Sequence, residues 1–200
     1  MDVGCGTGKY LALMQHLGWR VLGIEPHLAA AQIARQKGIE VYNCRIEDAR
    51  LPDASVDEVA LIHVIEHLSD PLATINECFR ILRKGGRLVL RTPNAESLAH
   101  RVFKQNTFHL EVPRHLFLFC PRSMRLLFEK SNFKAARVKS WPMSADYFYD
   151  TSAIIAKKGR LDLRKTKPQK GRVFFLLRET LLCALKQECG ELVDAVAIKQ

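Results

Sequence analysis

Apolar and polar positions alternate in two periods through the first hundred residues. Asp2-Val-Gly-Cys-Gly-Thr-Gly8 is followed by Leu11, Leu13, Met14 and Leu17 at helical spacing, which predicts a strand end, a tight turn and a helix start. Arg20-Val-Leu-Gly-Ile-Glu-Pro26 predicts a buried strand ending on an acid. An alanine-rich helix is expected over 28–37, stopped by Gly38, then a third strand over 40–46 and a fourth over 56–62. A helix over 71–83 carries Ile75, Cys78, Phe79 and Leu82 on one face, ends at Gly85-Gly86, and leads into a fifth strand over 87–92. This alternation specifies an α/β fold, a doubly wound parallel sheet with right-handed crossovers. A ligand then belongs at the carboxyl ends of the strands, where Gly4 to Gly8, Glu25, Glu47 and His63 fall.

From Ala95 the pattern loosens. Residues 108–119 are rich in aromatic and histidine side chains, a helix is expected over 123–131, and strands over 134–141 and 192–199. Residues 157–172 hold eight basic side chains and a single acid, and 173–185 follows as a helix that is apolar on more than one stripe. Two readings stand for 157–185: a peripheral contact with the inner face of an anionic membrane, or a solvated loop with a helix buried in the core or a dimer contact.

The opening glycines narrow the chemistry. Their G-x-G-x-G spacing departs from the dinucleotide G-x-G-x-x-G, and Lys9-Tyr10 replaces the Lys-Ser/Thr of a phosphate loop. An acid followed by Gly4, Gly6 and Gly8 resembles the first motif of class I S-adenosylmethionine-dependent methyltransferases. His63-Val-Ile-Glu66-His67, after an Asp-led strand, adds a likeness to small-molecule members, including the quinone-biosynthesis O-methyltransferases, where the stretch reads Glu-x-x-Glu-His. The resemblance implies a single domain over 1–200 with a Rossmann-like, seven-stranded, mostly parallel sheet whose last strand is antiparallel, and with 142–190 inserted before that strand. It implies S-adenosyl-L-methionine as cofactor, contacted by Asp2, Gly4, Cys5, Gly6 and Gly8. Glu25 would hold the ribose hydroxyls, Ile46, Glu47 and Asp48 the adenine, and His63 would lie near the sulfonium. Met1 stands where that family carries an apolar strand residue, so the first strand is expected to be truncated: a fragment, a late-assigned start and a short strand each account for this.

A hydroxyl acceptor must lose a proton, and imidazole titrates near physiological pH, so His115 and His63 are the candidate catalytic groups. The alternative for His115 is a hydrogen bond to loop backbone after Pro113. His63, Glu66 and His67 could together suit a transition metal, but the reading adopted assigns no metal and has His63 line the cofactor pocket. The acceptor pocket is expected from Thr92–Asn94 and 108–119. No Asn/Asp-Pro-Pro-Tyr/Phe motif follows the fourth strand and no Pro-Cys pair occurs, which disfavours methylation of nucleic-acid bases. A small-molecule acceptor with O-methylation is therefore expected; the alternatives are an RNA ribose or protein methyltransferase, or a non-catalytic cofactor-binding subunit. The formal charge of +10 admits nucleic acid, an anionic membrane or an acidic substrate. Six scattered cysteines without a C-x-x-C pair, and no signal peptide, suggest a reduced cytoplasmic protein.

Overall fold

The alternation of periods becomes seven strands in one sheet. The computed structural model describes residues 1–133, 136–161, 167–185 and 188–200. The first half carries β1 (Asp2–Val3), α1 (Lys9–His16), β2 (Gly23–Ile24), α2 (Leu28–Gln36), β3 (Val41–Tyr42), β4 (Val56–Ile62), α3 (Pro71–Ile81) and β5 (Leu82–Pro93). The second half carries α4 (Leu98–Phe103), α5 (Pro121–Lys130), β6 (Ala136–Trp141), α6 (Ala145–Lys158), α7 (Arg172–Ala184) and β7 (Leu192–Ile198). The strand order is β3-β2-β1-β4-β5-β7-β6, with β3, β2, β1, β4 and β5 parallel to one another. β7 opposes β5. Gly85 N–H donates to the Lys199 carbonyl and Lys199 N–H to that of Gly86, while Asn94 N–H at the far end of β5 donates to Glu191 at the near end of β7. Among the described residues no helix is long and apolar enough to cross a membrane.

Contacts divide the chain into two compact units: Met1–Arg91 with Leu126–Arg137 and Ala195–Gln200, and Thr92–Arg125 with Val138–Asp194. In the first, Cys5, Leu11, Ala31, Ala34, Ile39 and Val41 form one apolar cluster. Leu13 and Leu17, expected inward on helical spacing, are exposed; Leu11 alone is the buried residue of α1. α3 begins with Asp70, whose carboxylate accepts the Ala73 N–H at 3.0 Å, and with Pro71 at its first turn. The helix ends at Ile81, short of the expected glycines, because Leu82 turns extended (φ −68°, ψ 141°) and starts β5. Lys199 Nζ caps this end, donating to the carbonyls of Phe79, Arg80 and Leu82 at 2.7–3.2 Å. A cation at a helix carboxyl end also meets the negative pole of its dipole.

The second unit packs α4, α6 and α7 around Leu98, Ala99, Ala145, Phe148, Phe175 and Leu192. Helix α6 falls where the sequence suggested only an insertion. Asp150 on its buried face accepts Gln169 N–H at 2.8 Å and pairs with Arg172 at 3.0 Å, and Tyr149 O–H donates to the Lys170 carbonyl at 2.6 Å. These bonds tie the described part of the basic stretch to α6. Residues 162–166 of that stretch lie outside the described residues, as do 134 and 135 at the start of the expected sixth strand.

Candidate active site

The glycine loop needs left-handed backbone at alternate residues: φ is +73° at Gly4, +53° at Gly6 and +72° at Gly8, a region costly to any side chain with a Cβ. Space adds a second demand at two of them. A Cβ on Gly4 would stand 2.6 Å from Val64 Cγ2, and one on Gly8 2.7 Å from Ile39 Cδ1, whereas Gly6 has nothing within 4 Å. Thus Gly4 and Gly8 allow packing, and Gly6 leaves room at the loop. Gly4 and Cys5 both donate to the Ile24 carbonyl, fastening the loop over β2.

Glu25 joins the loop to the second strand. One carboxylate oxygen accepts Gly6 N–H at 2.8 Å and the other accepts His27 N–H at 2.8 Å. Asn43 holds this turn from the end of β3, donating its amide to the carbonyls of Glu25 and Pro26 at 2.8 and 2.9 Å. Sequence reasoning passed over Asn43; its place one residue beyond an apolar strand is the signal that could have found it. Asp2 is buried at the end of β1, and burial pushes its carboxyl up to about 7; the Met1 ammonium opposes this and Glu25 adds to it. Cys5 turns its side chain into the apolar cluster, where burial, with Asp2 and Glu25 beside it, pushes the thiol up to about 12. It is an inert thiol.

The structure separates the two carboxylates of the 46–48 turn. Ile46 is buried and both acids are exposed, but Glu47 accepts the Thr74 hydroxyl at 2.5 Å and is thereby tied to α3. His63 follows β4 with φ +56°, and its N–H donates to the Arg91 carbonyl at 2.8 Å. Its exposed ring stands with Nδ1 3.5 Å from a carboxylate oxygen of the buried Glu66. The first unit therefore brings Asp2, Gly4–Gly8, Glu25 and His63 to strand carboxyl ends. A cleft of about 370 Å³ lined by Met1, Tyr10, Met14, Trp19 and Glu58 lies instead at the amino ends of these strands, away from the loop.

His67 lies in the first unit with His63, and the second unit holds His109 and His115. His115 sets Nδ1 2.7 Å from the His109 carbonyl and Nε2 3.2 Å from Glu111. The carbonyl can only accept, so Nδ1 carries a proton. His109 is buried between Ser97 Oγ, 3.2 Å from Nδ1, and Glu191, 3.3 Å from Nε2. Glu191 also accepts Ala99 N–H at 2.9 Å. Burial, then the nearby Glu179, pushes Glu191 up to about 8, and burial pushes Glu179 up to about 7 against a bond from the Glu191 backbone. This cluster is a closed part of the core. Thr92 and Asn94, expected in the acceptor pocket, are also fully buried; the Asn94 amide donates to the carbonyls of Glu188 and Gly190 and its oxygen accepts Glu96 N–H. Asn94 shapes the 188–190 turn. Within 108–119 the exposed apolar side chains are Val112, Leu116, Phe117 and Leu118.

Residues 1–138 match a protein family described as a methyltransferase domain. A probable S-adenosylmethionine-dependent methyltransferase of Mycolicibacterium smegmatis is 38% identical over 96 residues, covering 47% of this chain and 37% of the relative. A ubiquinone biosynthesis O-methyltransferase of Xanthomonas oryzae pv. oryzae is 37% identical over 110 residues, covering 50% and 46%. These matches thus span less than half the length of either relative. A Thermotoga maritima structure, described as a methyltransferase and possible histamine N-methyltransferase, superposes with a TM-score of 0.66 at 22% identity, over 100% of this chain and 80% of its own; at that identity it shows the fold alone. On the match over 1–138, the chain belongs to the S-adenosylmethionine-dependent methyltransferase family.

Proposed function

We propose that this chain transfers a methyl group from S-adenosylmethionine to a hydroxyl of a small-molecule acceptor. The observation that carries the reading is the junction of Gly6 and Glu25, where loop backbone and a strand-end carboxylate are fixed to one another at 2.8 Å. The residues suit the cofactor chemically. Glu25 spends two of its roughly four acceptor positions on backbone N–H groups, which leaves two for a ribose diol. The open side of Gly6 is room that any side chain would fill. Of the two acids in the 46–48 turn, Glu47 is engaged by Thr74, so Asp48 is the better contact for adenine.

The cofactor supplies an activated methyl on a cationic sulfur, so the protein's work is alignment and proton removal. We assign proton removal to Nε2 of His115, since the His109 carbonyl keeps the proton on Nδ1 and the acceptor hydroxyl would take the place of Glu111. The 37% likeness to a ubiquinone biosynthesis O-methyltransferase supports oxygen as the acceptor atom. Six free thiols fit action in a reducing cytoplasm. The test is calorimetric titration with S-adenosylmethionine, then incubation with methyl-labelled cofactor and a panel of phenols and catechols, with the methylated atom identified by mass spectrometry. Labelled ether products support the reading; cofactor binding with label only on nitrogen or carbon acceptors overturns the hydroxyl assignment.

A further inference from the structure

Helix α7 shows an apolar face on both sides. Inward, Phe175 is buried against Tyr149, with ring centroids 4.9 Å apart, and Leu176 and Leu182 pack on the same cluster. Outward, Val173, Phe174, Leu177 and Leu181, with Leu185 just past the helix end, are each 61–73% exposed. Spacings of three and four residues put them on one continuous stripe. The inward face anchors the helix, so its outward face is presented by a fixed element. Contiguous apolar surface of this kind marks an interaction site rather than ordinary scatter.

Among the described residues of 151–185 every exposed charge is basic. Lys157, Arg160, Lys167, Lys170 and Arg178 are exposed. Across 151–161 and 167–185 the sole carboxylate is Glu179, which is fully buried. Lys157 donates to the Gln169 side chain at 3.0 Å, and Asp150 and Tyr149 hold Gln169 and Lys170, so basic groups are fixed beside the start of α7. This arrangement disfavours a second copy as occupant: a two-fold contact would set the positive rim against itself. A flat anionic surface satisfies both parts, because apolar side chains enter the acyl boundary while lysine and arginine stay at headgroup level.

We infer that the outward face of α7 docks on an anionic lipid bilayer, with Phe174, Leu177 and Leu181 entering it and Lys167, Lys170 and Arg178 meeting the headgroups. The inference is independent of the acceptor assignment above. The test uses the 200-residue chain and co-sedimentation with vesicles of phosphatidylcholine alone or with added phosphatidylglycerol. Binding is expected with phosphatidylglycerol only, and is reversed by high salt. The pair Phe174→Asp and Leu177→Asp, at exposed positions, should weaken it by about tenfold or more. The pair Lys167→Glu and Lys170→Glu should weaken it by about fivefold or more for each residue. Thermal melts report that each variant is folded. Phe174→Trp should give an emission blue-shift with phosphatidylglycerol vesicles alone. Absent co-sedimentation, equal binding to both vesicle types, or binding that survives the aspartates overturns the inference. So does a dimer dispersed by Leu177→Asp that ignores vesicles.

Discussion

Replacing Glu25 by glutamine isolates the residue on which the cofactor reading leans hardest. In the parent, each carboxylate oxygen accepts a backbone N–H at 2.8 Å, one from Gly6 and one from His27. Hydrogen bonds to a charged group contribute about 1.5–3 kcal/mol each. An amide has one carbonyl oxygen and one NH2, so either flip confronts one of the two N–H groups with another donor. Glu25 is about nine-tenths buried, so water does not freely replace the lost acceptor. Stability should fall by about 2 kcal/mol, which lowers the melting temperature by about 4–8 °C for a chain of this size.

Cofactor affinity should fall by more. The carboxylate retains two acceptor positions for ribose hydroxyls; the amide, with one lone pair already committed, retains one on a neutral oxygen. Losing one charge-assisted bond and weakening another costs about 2–4 kcal/mol, or about 30- to 1,000-fold in Kd. Calorimetric titration of a variant shown folded by its melt measures this directly. Should Glu25→Gln lose stability yet bind S-adenosylmethionine within about threefold of the parent, Glu25 would be a staple of the loop and the ribose assignment would be wrong.

Gly6→Arg should abolish cofactor binding while the protein still folds, because the Cβ meets nothing within 4 Å and the left-handed backbone costs only about 1–2 kcal/mol; a titration matching the parent would place the cofactor elsewhere. His115→Gln should lower the turnover of an identified hydroxyl acceptor by about 10²- to 10⁴-fold without changing cofactor Kd, and a smaller loss in single-turnover rates would reduce His115 to loop support. Glu179 and Glu191 make stability pH-dependent. Their folded-state values, raised to about 7 and about 8 by burial, mean that the folded chain holds protons that the unfolded chain sheds near the usual 4.5. Their contribution is full below that value and is lost as pH rises through 7–8, by about 3 kcal/mol if one of the pair ionises. Urea unfolding should therefore show lower stability at about pH 8 than at about pH 5, with a shallower slope for Glu179→Gln; equal slopes would refute the assignment.

What was legible in the sequence is what is written locally. A left-handed φ at alternate residues demands glycine, so Gly4, Gly6 and Gly8 announce the loop, and Glu25 follows a strand that its apolar neighbours define. The limit of α3 was hidden because its cap, Lys199, comes more than a hundred residues later. Helix α6 was hidden because Asp150, Thr151 and Ser152 interrupt its apolar pattern, although all three are buried; the Asp150 partners, Gln169 and Arg172, come 19 and 22 residues later. Asn94 looked like an acceptor contact because it follows a strand end, but the 188–190 turn folds back to claim its side chain. Leu13 and Leu17 satisfied a helical period without a core to face.

The site itself is a consequence of register. Asp2 pairs with Gly23 and Val3 with Ile24, while Gly23 pairs with Val41 and Ile24 with Tyr42. Strands β1, β2 and β3 therefore end level, and the next residue of each is Gly4, Glu25 and Asn43. Those three then interlock across the edge: Gly4 N–H donates to Ile24, Glu25 N–H to Tyr42, and the Asn43 amide to Glu25. Because side chains alternate between the faces of a strand, a slip of one residue in β2 would turn the Glu25 carboxylate away from Gly6 and the buried Ile24 outward together. The apolar core that fixes the register thus also aims the carboxylate at the loop. Mutations that loosen packing at Ala31, Ala34 and Val41 should accordingly disturb the glycine loop without altering any of its own residues.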